Sequence, residues 1–152
     1  MTKLRNIEEK IFHLIKKTAS ELPEDVIKAL YNALQKEPAG SIAAKQLRLM
    51  LENAKIAKEK KLPLCQDTGV LLFQIETANF AKAQDAIIPA LKKAVAKATK
   101  EGILRVNTVD SIDGRTFADN LAPGFPRIEI VLNPSLKKHA ISLLMKGGGS
   151  EN

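Results

Sequence analysis

The chain has 152 residues, enough for one domain with a sizeable core, and its 45% hydrophobic and 27% charged residues are ordinary for a globular protein. A single cysteine excludes an intramolecular disulfide framework, and no apolar run suits a signal peptide or a bilayer span, so a cytoplasmic location and no membrane partner are expected. The net charge of +7 raises the question of nucleic acid, but lysines such as Lys55, Lys58, Lys60 and Lys61 fall in helical segments and read as solvated helix faces.

In chain order, Ile7, Ile11, Leu14 and Ile15 recur at helical spacing and predict a first amphipathic helix. A second helix is expected to open at Pro23, with Val26, Ile27, Leu30, Tyr31 and Leu34 on a buried face, and to end in the stretch Glu37 to Gly40. Ser41 is a candidate N-cap for a third helix over Ile42 to Glu59, with Leu47, Leu51 and Ala54 inside. The texture changes at Leu62-Pro63. Val70 to Ile75 predicts a largely buried strand, and Ala81 to Lys100 predicts a helix that Pro89 kinks or restarts. Residues 102–127 have the composition of a long loop, which in a compact domain is commonly functional. Ile128 to Leu132 and Ala140 to Met145 read as two further strands. The expected fold class is α+β, a single domain over 1–152. A helical portion over 1–61 leads into an α+β portion over 62–152, a small mixed sheet with flanking helices.

Three stretches carry chemistry. Leu62-Pro63-Leu64-Cys65-Gln66-Asp67-Thr68-Gly69 brings a thiol, an amide, a carboxylate and a hydroxyl together before a strand, with Pro63 restraining the approach and Gly69 freeing the exit. Cys65 could be a metal ligand, a nucleophile or a buried thiol, and composition alone favours the last. A nucleophilic cysteine would want a histidine, and neither His13 nor His139 has a distinctive setting. The run Gly147-Gly148-Gly149 can converge backbone N–H groups on an anion or serve as a flexible linker; it lacks the spacing of a nucleotide-binding loop. Arg105 and Arg115 can grip carboxylates; composition slightly favours surface ion pairs with Asp110 or Asp113.

Together these residues resemble one family. Pro63-Leu64-Cys65-Gln66-Asp67-Thr68-Gly69 is similar to the Cys-Gln-Asp-Thr-Gly signature of class I fumarate hydratases and L-tartrate dehydratase α subunits. Leu104-Arg105 with Val109-Asp110, and Lys146-Gly147-Gly148-Gly149-Ser150-Glu151-Asn152, resemble two further segments of that family in the same order. The resemblance covers essentially the whole chain and implies the N-terminal portion of an iron–sulfur hydro-lyase that hydrates fumarate reversibly to malate. It implies a [4Fe–4S] cluster held by three cysteines with one iron open to substrate. Cys65 would be the first ligand, and Gln66 and Asp67 would face the substrate, with Asp67 assisting proton transfer. Arg105 would bind a substrate carboxylate, and the backbone of Gly147, Gly148 and Gly149 would line the same pocket.

The resemblance further implies that the other two cysteines lie in the family's α region beyond the triple-glycine segment, and that further catalytic groups come from a C-terminal region or a separate β subunit. The chain alone is therefore expected to hold no cluster, to be inactive and to associate into an oligomer. Its small-molecule partner would be a dicarboxylate. Two other readings stand beside this one: an L-tartrate dehydratase α-subunit portion, and a basic anion-binding module without catalysis.

Overall fold

The structure, a computed structural model, describes the backbone of residues 2–147 and the side chains of residues 6–147. Three helices come first: α1 (Thr2–Ser20), α2 (Glu24–Lys36) and α3 (Ile42–Lys60). Strand β1 (Val70–Thr77) follows, then a single turn α4 (Phe80–Lys82), a π-helical turn (Ala83–Ile87) and helix α5 (Ile88–Lys100). After a long loop come β2 (Arg127–Leu132) and β3 (Ala140–Lys146). The α+β class expected from the sequence is what the structure has.

The three strands form one mixed sheet in the order β2-β1-β3, with β1 parallel to β2 and antiparallel to β3. Register aligns Phe73 with Ile128 and Leu143, and Ile75 with Ile130 and Ile141, so the large aliphatics of all three strands share one face. Helices α1 and α5 cover that face, and Ile11, Ile15, Phe73, Ile75, Leu91 and Val95 meet in a single core. Leu72, Gln74 and Glu76 point the other way and are only half-buried. The expectation of a largely buried β1 therefore holds for one face, because helices cover one side of the sheet.

Local chemistry explains the boundaries. The Ser41 hydroxyl accepts the Ala44 N–H at 3.0 Å and caps α3 as expected. Pro23 sits one position before α2 rather than inside it. Pro89 is the second residue of α5, just inside its start, and the wider π-helical turn Ala83–Ile87 directly precedes the helix.

Helix α2 corrects the reading of its apolar face. Val26, Ile27, Leu30, Tyr31 and Leu34 are not buried; Tyr31 stays 53% exposed and no residue of α2 is buried. Among the described residues α2 packs chiefly on α3, which leaves that stripe without a full covering surface. The inner face of α3 is built from Ala44, Ala54 and Ala57, with Leu47 and Leu51 only half-buried.

Candidate active site

The loop between α3 and β1 is clamped before it reaches Cys65. Lys61 turns the chain in the left-handed region with φ 55°, ending α3. The Leu64 N–H then donates to Ala19 O at 2.8 Å, and the Leu64 carbonyl accepts from Asn53 Nδ2 at 2.9 Å. Both polar groups of this residue are thus tied to helices, and Cys65 leaves from a fixed point. Cys65 is exposed, which removes the buried-thiol alternative.

The next residues form a tight turn. Asp67 Oδ1 accepts the Gly69 N–H at 2.9 Å, a side chain closing its own backbone turn. Gln66 and Asp67 are exposed, whereas Thr68 and Gly69 are buried. Thr68 uses its burial: its hydroxyl accepts the Arg105 N–H at 3.1 Å. The Arg105 guanidinium points back to Gln66, with Nη1 3.5 Å from Oε1, at the outer limit of a hydrogen bond. Arg105 follows Ile103 and Leu104, which are both buried, so its base rises from a packed edge as the sequence suggests.

Gly69 makes the third connection. A Cβ built there would collide with the Lys146 carbonyl group and approach Gly147 N at 2.7 Å. The exit of the Cys65 turn therefore lies against the end of β3, where the glycine run begins. Cys65, Gln66, Asp67, Arg105 and Gly147 are gathered at one end of the sheet. Gly148 and Gly149 lie outside the described residues.

Arg115 is elsewhere. It forms an ion pair with Asp110 at 4.0 Å and lies over the Phe117 ring at 5.0 Å, so the surface-pair reading describes Arg115. The Asp110 carboxyl is held below its usual range, first by the N–H groups of Ile112 and Asp113 and then by Arg115. His139 packs with Nδ1 2.7 Å from the Thr77 hydroxyl, and His13 sits edge-on to Phe12.

The sequence reading named Thr68 within the motif without its partner, and missed Asn107 and Asn120 as parts of this site. Asn107 Nδ2 donates to Gly69 O at 3.3 Å. Asn120 is 5% exposed and adopts φ 58°, a conformation asparagine tolerates. Its Oδ1 accepts the N–H groups of Asn107 and Thr108, and its Nδ2 donates to Arg105 O and Thr99 Oγ1. The Asp119-Asn120 pair could have been read as a turn; what its amide reaches could not.

Two clefts flank the turn. One of about 300 Å³ is lined by Asp67, Thr68, Asn107 and Asn120. The other, about 650 Å³, is lined by Cys65, Asp67, Thr68, Lys17 and Lys58. Asp67 and Thr68 border both, so the Cys65 turn is the ridge between them. Among the described residues no three His, Cys, Asp or Glu side chains are placed to share a metal ion, and no helix is long and apolar enough to cross a membrane.

A family profile described as fumarate hydratase (Fumerase) matches residues 8–152. The chain is 40% identical over 151 residues to the "Putative fumarate hydratase class I" of Geobacillus stearothermophilus, covering 98% of this chain and 29% of that protein. It is 37% identical over 149 residues to the "Putative L(+)-tartrate dehydratase subunit alpha" of Methanocaldococcus jannaschii, covering 96% and 52%. It is 28% identical over 131 residues to the L(+)-tartrate dehydratase subunit alpha of Escherichia coli K12, covering 86% and 43%. The chain thus spans about half or less of the length of each of these relatives.

Proposed function

The chain belongs to the fumarate hydratase (Fumerase) family, and from that premise we propose that it supplies one wall of the active site of an iron–sulfur hydro-lyase acting on a four-carbon dicarboxylate. The observation that carries this reading is the convergence at one sheet end. Thr68 holds the Arg105 backbone, Gln66 meets the Arg105 guanidinium, and Gly69 abuts Lys146.

In this reading Arg105 clamps a substrate carboxylate, because a guanidinium offers two parallel donors that match its two oxygens. Gln66 lies beside the guanidinium and can hydrogen-bond the same substrate. Asp67 lies one residue beyond, exposed at the ridge between the clefts, where a carboxylate can take or return the proton of the substrate hydroxyl. The backbone from Gly147 to Gly149 offers N–H donors to charge that develops on the substrate.

The donor set tests the cofactor. An iron–sulfur cluster is anchored by several thiolates, and the chain has one, Cys65. The residues present therefore do not fit a whole cluster; Cys65 is suited to be one ligand among several, the others coming in this reading from the family's α region beyond the glycine run. Fumarate is the leading substrate on the strength of the Geobacillus relative, and tartrate the second on that of the α subunits.

The test uses the complete polypeptide with any partner subunit, reconstituted anaerobically with iron and sulfide. Fumarate hydration that is lost in Cys65→Ser supports the reading. An intact cluster that dehydrates tartrate and leaves fumarate untouched moves the substrate. A protein that takes up no cluster, with Cys65 present, sinks the proposal.

A further inference from the structure

We infer that Asn120 is the positioning residue for Arg105, setting the guanidinium's reach to a substrate carboxylate through the backbone that leaves it. This rests on the role proposed for Arg105 and extends it to a residue that touches no substrate.

The side-chain amide of Asn120 has two donor hydrogens and two acceptor lone pairs, and all four are used. Nδ2 donates to Arg105 O at 2.7 Å and to Thr99 Oγ1 at 3.1 Å. Oδ1 accepts from Asn107 N at 3.2 Å and from Thr108 N at 3.1 Å. Thr99 in turn donates to Val95 O at 2.9 Å, one turn back in α5. The result is a continuous polar tie from the rigid end of α5, through a buried amide, to the peptide that leaves Arg105.

Thr68 completes the frame from the other side by accepting the Arg105 N–H. With its N–H and its C=O both held, the Cα–Cβ direction of Arg105 is set, and the long side chain starts from a fixed base. Among the described residues its tip has one weak contact, to Gln66. The precision of the guanidinium therefore comes from the backbone, and Asn120 is the larger part of that restraint. Val106, Val109 and Ile112 are exposed, so hydrogen bonds rather than apolar packing hold much of the segment that follows Arg105.

The left-handed φ of Asn120 makes a clean test possible, because glycine and aspartate also accept it. Asn120→Gly removes the amide and keeps the turn. Asn120→Asp keeps the acceptors and loses the donors, placing a carboxylate oxygen against Arg105 O. In the complete enzyme with cluster content measured spectroscopically, either variant should raise KM for the dicarboxylate about tenfold with kcat per cluster little changed. In an Arg105→Ala background the same substitutions should add almost nothing to KM. A purely structural role would lower the active fraction and leave KM alone.

An unchanged KM, or an equal penalty with and without Arg105, overturns the inference. Should neither variant fold, Thr99→Val removes the anchor while keeping the Asn120 amide, and should show the same pattern at smaller size. If the parent turns over no dicarboxylate, the functional reading fails by itself, and the cycle is read as succinate affinity by calorimetry. Absence of succinate binding in the parent overturns both.

Discussion

The α-carbon of Gly69 lies against the main-chain carbonyl of Lys146, with no space between them for a side chain. This contact joins two segments 77 positions apart in number, 69 to 146, and places the Cys65 turn beside the start of the glycine run. The pairing of Val70 with Lys146 at the end of the β1–β3 ladder continues the same contact.

Gly69→Ala should therefore destabilise the protein and displace the end of β3. The left-handed φ of 68° costs on the order of 1–3 kcal/mol for a non-glycine residue, before the collision with Lys146 is counted. Thermal unfolding of the complete protein checks this; an unaltered melting temperature contradicts the geometry.

Cys65→Ser should leave stability within about 0.5 kcal/mol, as for most surface substitutions, because the thiol is exposed. Iron and sulfide content after anaerobic reconstitution should fall sharply. A stable variant that retains full cluster content refutes a ligand role for Cys65.

Arg105→Ala should raise KM for the dicarboxylate on the order of 10²-fold, the size of a lost charge-assisted contact. Arg105→Lys should recover only part of this, since an ammonium offers a point charge in place of a planar fork. Steady-state kinetics on both variants decide it, and equal kinetics for Lys and Arg remove the bidentate clamp.

Asp110 gives a pH prediction. Its carboxyl is more acidic folded than unfolded, held by the N–H groups of Ile112 and Asp113 and then by Arg115. Its contribution to stability is complete above the unfolded carboxylate value and is lost as pH falls through the lowered folded value. Asp110→Asn should flatten stability against pH in that acid window. A carboxyl titration followed by NMR that shows an ordinary Asp110 rejects the cause.

Much of the fold was legible because it follows local rules. Ser41 reads as a cap and caps α3; Pro89 reads as a break and opens α5; the aliphatic run after Gly69 reads as a strand and is one. The apolar stripe of α2 reads as buried and is not, since burial depends on what else packs there and the sequence of one helix does not state its neighbours.

The same division runs through the site. Residue type singled out the stretches around Cys65, Arg105 and the glycine run as able to carry chemistry, and the resemblance of their motifs to one family gave Cys65, Gln66, Asp67 and Arg105 their expected roles. Only the tertiary structure decided that Thr68 and Asn120 hold Arg105 from two sides and that Gly69 must be glycine against Lys146. Those are relations across 15 to 77 residues of chain, from 105 to 120 and from 69 to 146. A hydroxyl or an amide is the same in any loop until folding sets the partner within its reach.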